Sequence, residues 1–446
     1  MSVKVRFPPS PTGYCHVGTA RMAVLNYAFA RKHGGTIVFR SEDTDKERSK
    51  KEYEDDILEQ LRWLGLSWDE FFRQSERTAV YRTALEKLIA EDKAYISEEP
   101  SKKDPKQIVR VIRLRNPGRV VTFTDLIRGD ISFDTTELKD FVIARGIDDP
   151  LYHLTVVVDD ALLGITHVIR GEDHISNTPR QILIQEALGY ERPVYAHYPL
   201  HLGADKSKLS KRTGDVAVRS YREKGYLPEA LLNYIAILGW TPPSEREILS
   251  LEEMIGEFDI ADLHKSGAVF DIEKLRWYNR EYLMKLSHED FAAYALPVLK
   301  ESLELRGITY NEQTGNTLLS VIRERMSVAE DLRDSTAAGE LDFFFSDPAP
   351  EKAMIPDKKT TPEQTVVHLR HVRDTLQSLD TFSSQTVKDA IWEYAGVQGR
   401  GAVLWPLRYA LTAREKSPDP FAVAGLIGKE ATLRRIDTAI AVLANV

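Results

Sequence analysis

"VKVRF" (residues 3–7) alternates apolar and charged positions, which predicts a strand near the start of the chain. From His16 to His33 the period becomes helical, with Ala20, Val24, Tyr27 and Ala28 near one face. Leu25 and Phe29 carry apolar surface almost all round, so this helix is expected to be buried. Gly34 and Gly35 close it. "TIVFRSED" (36–43) reads as a second strand, and "SKKEYEDDILEQLRWLG" (49–65) as a second helix with its own closing glycine. Strand, helix, strand, helix predicts a βαβ opening on a parallel sheet.

A third helix is expected at about 78–92, followed by a strand-rich basic stretch at about 95–147. Residues 152–164 and 166–173 return to α/β character. "TPRQILIQEALG" (178–189) is a helix with proline in its first turn, and "VYAHYPLHL" (194–202) is another apolar strand. The sheet therefore reads as interrupted: a first half in residues 1–85, an insertion at 86–150 and a second half at 151–206. A region at 207–290 then leads to a half, 291–446, whose pattern is helical throughout. "SDPAPEKAMIPDKKTTPEQ" (346–364), rich in proline and charge, is expected to be a loop or hinge. There is no internal repeat.

At roughly 100–200 residues per domain, 446 residues suggest two to four domains. No apolar run reaches the ~18 residues of a membrane span, and "MSVKVRFPPSP" carries no apolar core of a signal peptide. A single cysteine, Cys15, excludes an intramolecular disulfide and a multi-cysteine zinc site, and fits a reducing cytoplasm. A net charge of −8 disfavours a wholly basic nucleic-acid coat. Two runs nevertheless concentrate Lys and Arg, at 101–119 and 206–224, and point to a polyanionic partner met by local patches.

The densest chemistry is "PPSPTGYCHVGTAR" (8–21), between the first strand and the first helix. A strand ending in a tight Pro–Gly turn and feeding a helix is where α/β proteins hold phosphate, because the helix N-terminus offers free N–H groups and partial positive charge. Gly13 and Gly18 would let a nucleotide approach the backbone. Neither G-x-G-x-x-G nor G-x-x-x-x-G-K-[ST] is present, so His16 becomes the expected side-chain donor to phosphate. "KLSKR" (208–212) sets three cations around one serine in a loop after the last sheet strand, a composition suited to closing over a triphosphate.

"HVGT" (16–19) and "KLSKR" resemble the HIGH and KMSKS motifs of class I aminoacyl-tRNA synthetases. More narrowly, "RSEDTDKER", "YHLTVVVDD", "HVIRGED", "LPEALLNYIAILGW", "VFDIEKLRWYN" and the tail from "PLRYALTAREK" onward resemble, in order, the bacterial-type glutamyl-tRNA synthetases over nearly the whole chain. The resemblance implies a Rossmann-like α/β catalytic domain with a short inserted α+β acceptor-binding region, followed by an all-α anticodon-binding half. It implies activation of L-glutamate by ATP with Mg²⁺, transfer to the terminal adenosine of glutamate tRNA, and a cytoplasmic monomer.

Residue by residue, it implies that His16, Gly18, Lys208, Ser210 and Lys211 carry the chemistry. Pro9, Thr12, Gly13, His16, Gly18, Thr19, Asp173, His174, Leu200, His201 and Lys211 would line the ATP side. Arg6 would meet the side-chain carboxylate of glutamate, Arg170 its α-carboxylate and Glu42 its ammonium, with Ser10 and Tyr152 completing the pocket. Guanidinium can grip a carboxylate with two bonds, which favours the acid over the amide of glutamine. Asp43 and Asp45 are expected to fix their loop rather than bind metal, Mg²⁺ arriving with ATP. Where many relatives carry asparagine, this chain has Val156. The short insertion has no Cys or His, so no zinc is expected, and the run 101–119 is the expected contact for the tRNA acceptor arm.

Cys15 reads first as a packing residue. Its place near a helix N-terminus offers a second reading, a lowered thiol pKa with alkylation slowed by ATP. The helical second half disfavours a glutaminyl-tRNA synthetase, which carries a β-barrel there, and a shortened tRNA-modifying paralogue. The retained motifs disfavour a tRNA-binding protein without catalysis. The length after "KLSKR" disfavours a small adenylyltransferase. A non-discriminating form that also charges glutamine tRNA remains open.

Overall fold

In a computed structural model of the chain, residues 2–101, 104, 106–203 and 217–444 are described. They fall into two compact units, Met1–Tyr282 and Leu283–Val446.

The first unit opens with β1 (Lys4–Phe7), α1 (Val17–Lys32), β2 (Thr36–Ser41), α2 (Lys51–Trp63), β3 (Glu70–Arg73) and α3 (Thr78–Ala90). The strands pair in parallel in the order β1-β2-β3. "TIVFRS" is buried from its second residue to its last, the mark of a parallel strand covered on both faces. Val5, Phe7, Ile37, Val38 and Phe39 are fully buried, each apolar side chain contributing about 1.5–3 kcal/mol.

The insertion supplies β4 (Ala94–Pro100), β5 (Ile108–Leu114), β6 (Val120–Asp125), β7 (Gly129–Asp134), β8 (Phe141–Gly146) and β9 (Asp149–Pro150). β4-β5-β8-β9 form an antiparallel sheet. β6 buries every second residue, as expected of an antiparallel strand wet on one face.

The chain then returns through α4 (Tyr152–Leu162), β10 (His167–Gly171), α5 (Thr178–Leu188), β11 (Val194–Tyr198) and the short β12 (His201–Leu202). The strand expected at 194–202 thus breaks at Pro199 and Leu200. β10 and β11 are parallel, and the hairpin β6–β7 joins them, β6 lying beside β11. The insertion therefore extends the second half of the sheet.

The two half-sheets meet at β1 and β10. Thr166 N–H donates to the Lys4 carbonyl (2.9 Å), and Lys4 N–H to Thr166 Oγ1 (2.8 Å). Among the described residues no ladder continues from there to the carboxyl ends of these strands. This is the point where strand order reverses, which is where open α/β sheets place ligands. α1 lies against it, and its buried Asn26 donates to the Ile169 carbonyl of β10 (3.1 Å).

The unit ends with α6 (Val218–Lys224), α7 (Pro228–Ile237), α8 (Leu251–Glu257), β13 (Ala268–Val269) and α9 (Ile272–Lys285), the last crossing into the second unit. That unit has only helical elements among the described residues, α10 (His288–Leu305) to α17 (Pro420–Ala444). Side-chain caps start several of its helices: Ser287, Asn311, Thr361 and Ser383 each accept a backbone N–H of the first turn. Gly428, with φ 83°, kinks α17. The stretch 346–361 is irregular apart from one turn at Lys352–Met354.

Candidate active site

Three parallel strands each carry an arginine one residue before their carboxyl end: Arg6 on β1, Arg40 on β2 and Arg170 on β10. Their exposures are 2%, 0% and 5%. Buried arginines persist only with partners, and these partners are specific. Arg40 donates to Asp160 Oδ1 of α4 (2.6 Å) and to Glu42 Oε1 (2.9 Å). Arg6 Nε donates to the same Asp160 oxygen (3.3 Å). Burial alone would raise the Asp160 carboxyl. The charges of Arg40 and Arg6 outweigh it and hold the group below the usual carboxylate range. At Glu42 burial wins and pushes the carboxyl up, against the pull of Arg40 and Arg6.

Arg170 is held from the other side. Its Nε donates to His197 Nε2 (3.1 Å) and its Nη2 to Thr178 Oγ1 (2.8 Å). Burial lowers the Arg170 pKa. Nη1 of Arg6 and Nη1 of Arg170 are both buried and without a protein partner. A buried donor without an acceptor costs about 1–3 kcal/mol, so the site is built to favour anionic groups at these two nitrogens.

Tyr152 opens α4 and sets its hydroxyl 3.1 Å from His174 Nδ1. Burial raises the phenol, and the nearby Glu42 adds to the shift. His174 is pushed down to about 4 by burial and by the charge of Arg170. The geometry thus ties His174, expected on the nucleotide side, to the tyrosine of the amino-acid side. Val156, one turn further along α4, is buried.

On the nucleotide side, Pro9 is buried and its carbonyl accepts Glu42 N–H (2.9 Å), fastening the turn to the end of β2. Ser10 and Thr12 are exposed. His16 is also exposed and caps α1, its Nδ1 accepting Thr19 N–H (3.2 Å). A side chain at Gly18 would press on the His16 ring at 3.0 Å, whereas one at Gly13 would meet no protein atom within 4 Å. Val218 N–H donates to the Cys15 carbonyl (2.9 Å), and Ala217 bridges His16. Lys208, Ser210 and Lys211 lie outside the described residues.

His201 is buried, and burial together with the charges of Arg21 and His16 lowers its ring well below the ordinary value. Leu200 N–H donates to Glu172 Oε1 (2.9 Å). Asp173 is exposed, and a Cβ at Gly171 would meet its Oδ1 at 2.6 Å and displace that side chain. Asp43 accepts from the N–H and hydroxyl of Ser75 (2.8 and 2.6 Å), and Asp45 from Arg48 Nε (2.7 Å). Among the described residues no three His, Cys, Asp or Glu side chains are grouped to hold a metal ion.

One reading of the sequence needs correction. The lowered-pKa reading of Cys15 fails: the thiol is fully buried, and burial with the Asp56 charge raises its pKa. Within the run 101–119, the expected contact for the tRNA acceptor arm, the described arginines have carboxylate partners. Arg110, Arg113, Arg115 and Arg119 each pair with a carboxylate, of Glu98, Glu99, Asp92 and Glu186 respectively. Sequence reasoning missed Arg40, Asp160, Asp125 and His197. It also missed Arg21, whose buried guanidinium ties α1 to the carbonyls of Pro199 (2.5 Å) and Leu238 (2.7 Å). The available signal was a lone charge in an apolar run, as in "TIVFRS" and "LTVVVDDALL".

A parallel sheet reversing at β1, a histidine-capped helix after that strand and a helical second unit agree with two family models. "tRNA synthetases class I (E and Q), catalytic domain" matches residues 2–103 and 96–277, and "Anticodon binding domain" matches residues 273–440. The fold is that of a class I aminoacyl-tRNA synthetase.

Among curated relatives, the glutamate–tRNA ligase of Geobacter sulfurreducens is 40% identical over 476 residues, covering 99% of this chain and 99% of its own. That of Aquifex aeolicus is 50% identical over 335 residues, covering 67% and 71%. A solved glutamate tRNA ligase of Elizabethkingia meningosepticum, in complex with its amino acid, superposes with a TM-score of 0.87 at 33% identity, covering 99% of this chain and 100% of that one. The chain belongs to the glutamate–tRNA ligase family. Among the described residues no helix is long and apolar enough to cross a membrane.

Proposed function

We propose that this glutamate–tRNA ligase selects L-glutamate by its two carboxylates, Arg6 taking the side-chain group and Arg170 the α-carboxylate. The observation that carries this reading is the pair of buried Nη1 groups left without protein acceptors. Charge supports it. Arg6, Arg40 and Arg170 are buried against Asp160 and Glu42, with Asp125 set back behind His197. Glutamate brings one carboxylate to each of the two unpartnered guanidinium nitrogens, whereas glutamine brings an amide to Arg6. Glu42 receives the ammonium, and Tyr152 and Ser10 bond the bound amino acid.

In the reaction the glutamate carboxylate oxygen attacks the α-phosphorus of ATP, the bond to pyrophosphate breaks, and glutamyl-adenylate forms. The terminal ribose hydroxyl of glutamate tRNA then attacks the acyl carbon and releases AMP. His16 and the N–H groups at the start of α1 hold the phosphates, with Gly18 leaving them room. Lys208 and Lys211 oppose charge on the leaving pyrophosphate, and Ser210 shapes their loop. Pro9, Thr12, Gly13, Thr19, Asp173, His174, Leu200 and His201 line the adenosine side. Mg²⁺ would enter with the ATP phosphates and there neutralise part of their charge.

Glutamate-dependent pyrophosphate exchange, with and without glutamate tRNA, tests the reading. Exchange with glutamate should exceed exchange with glutamine by about 10³-fold. Arg170→Ala should raise the KM for glutamate while sparing that for ATP. Equal use of glutamine, or an unchanged KM in Arg170→Ala, overturns the amino-acid assignment. An unchanged rate in Lys211→Ala overturns the assignment of the loop.

A further inference from the structure

Asp125 ends β6, a strand of the insertion, yet its carboxylate is buried in the wall of the amino-acid site. Oδ1 accepts the N–H groups of Ile127 and Arg128, both at 3.0 Å, and shapes the turn. Oδ2 accepts the backbone N–H of His197 (3.0 Å) and lies 2.6 Å from its Nδ1. The His197 contacts and the two turn N–H groups hold Asp125 below the usual carboxylate range, overcoming the effect of burial. An ionised carboxylate only accepts, so Nδ1 carries the imidazole proton. Burial, with the Arg170 charge, lowers the pKa of His197, so the ring is neutral and Nε2 is bare.

A bare Nε2 is what Arg170 requires. Parallel pairing of β10 and β11 places Arg170 beside His197, and Arg170 Nε donates to Nε2 at 3.1 Å. Nη2 is held by Thr178 at 2.8 Å. A guanidinium is planar, so fixing two of its nitrogens fixes the third. The groups around His197 are then Asp125, Arg170, Thr178 and, through its main-chain carbonyl, Arg128 (3.1 Å).

We infer that Asp125 is a positioning residue of the amino-acid site: by fixing the tautomer of His197 it aims Arg170 Nη1 at the carboxylate of the bound amino acid. This rests on the assignment of Arg170 made above. The insertion is thereby part of the amino-acid pocket and not only an appendage for tRNA.

Asp125→Asn keeps the shape and removes the bias. With its amide toward His197 it donates to Nδ1, drives the proton to Nε2 and opposes Arg170 Nε–H. With the amide reversed it opposes the two turn N–H groups. The KM for glutamate in pyrophosphate exchange should rise about tenfold while that for ATP stays within about twofold. His197→Gln places an amide oxygen near the former Nε2, where it can accept from Arg170 whatever residue 125 is. In that background Asp125→Asn should add nothing to the KM for glutamate.

Nitrogen-15 NMR of imidazole-labelled full-length protein gives a second readout. His197 Nε2 should be unprotonated in the parent and protonated in Asp125→Asn. A protonated Nε2 in the parent, an unchanged KM in Asp125→Asn, or an equal rise in the His197→Gln background each overturns the inference. Arg170→Lys separates the two levels. A raised glutamate KM there beside an unchanged one in Asp125→Asn sinks only the relay; an unchanged KM in Arg170→Lys removes the assignment beneath it.

Discussion

The side proposed for the amino acid and the side proposed for the nucleotide are built differently. Arg6, Arg40 and Arg170 are nearly sealed from water and held by Asp160, Glu42, His197 and Thr178. His16, Ser10 and Thr12 are exposed, and the His16 ring caps the first turn of α1. The difference follows from what each side must distinguish. A small acid is told from its amide only where water cannot substitute for a missing partner, so its receptors are desolvated and fixed before it arrives. A triphosphate is large and highly charged, and a helix terminus with exposed donors suffices to hold it.

The contrast predicts that damage to the first side is structural and chemical at once. Arg6→Gln should lower kcat/KM for glutamate by about 10³-fold, about 4 kcal/mol, and also lower Tm, because Asp160 loses a buried partner. A loss below tenfold would dissolve the distinction. On the other side, His16→Asn keeps a helix cap. It should lower the exchange rate by about 10²-fold while moving Tm by no more than about 2 °C. A Tm drop matching that of Arg6→Gln would place His16 in the sealed class.

Acid sharpens the comparison next. Burial lowers His153 and His174 to about 4. The unfolded chain, with histidines near 6.5, binds more protons than the folded one between about pH 6.5 and 4, so stability falls as pH falls through that window. Each histidine should withdraw about 2 kcal/mol between pH 7 and pH 5. Thermal melts across that range should show the decline, and His153→Phe should make it shallower. A Tm constant from pH 7 to 5 would mean that neither ring is kept neutral. The smallest effect concerns Cys15: native alkylation should be slow and indifferent to ATP, becoming fast only in denaturant. Protection by ATP would put the thiol on the open side after all.

Much of the nucleotide side was legible because it is local. "PPSPTGYCHVGT" writes a strand end, a turn and a helix cap within a dozen positions, and the observed α1 starts at Val17 with His16 as its cap. The period of 17–32 and the apolar stretch Ile37–Phe39 of β2 gave the βαβ opening for the same reason. The amino-acid side was legible only in part. Arg6 and Arg170 could be named through resemblance, but nothing near them in sequence announces Asp160, His197 or Asp125. Those partners come from a helix, a neighbouring strand and an insertion 154, 27 and 72 positions away in the contacts concerned.

The basic run 101–119 shows the same limit from the opposite direction. Its arginines read as a patch, and cross-strand and tertiary neighbours turned them into ion pairs. For Cys15 the sequence left two readings, packing first and a thiolate second, and its depth decided for packing. What the sequence determined by itself was periodicity, turns, caps and the residue types of the chemistry, all set by neighbours within a few positions. What the tertiary structure alone decided was which charges are buried, which are paired and which nitrogens are left for substrate. Those depend on dielectric and distance between segments that meet only when the sheet closes at β1 and β10.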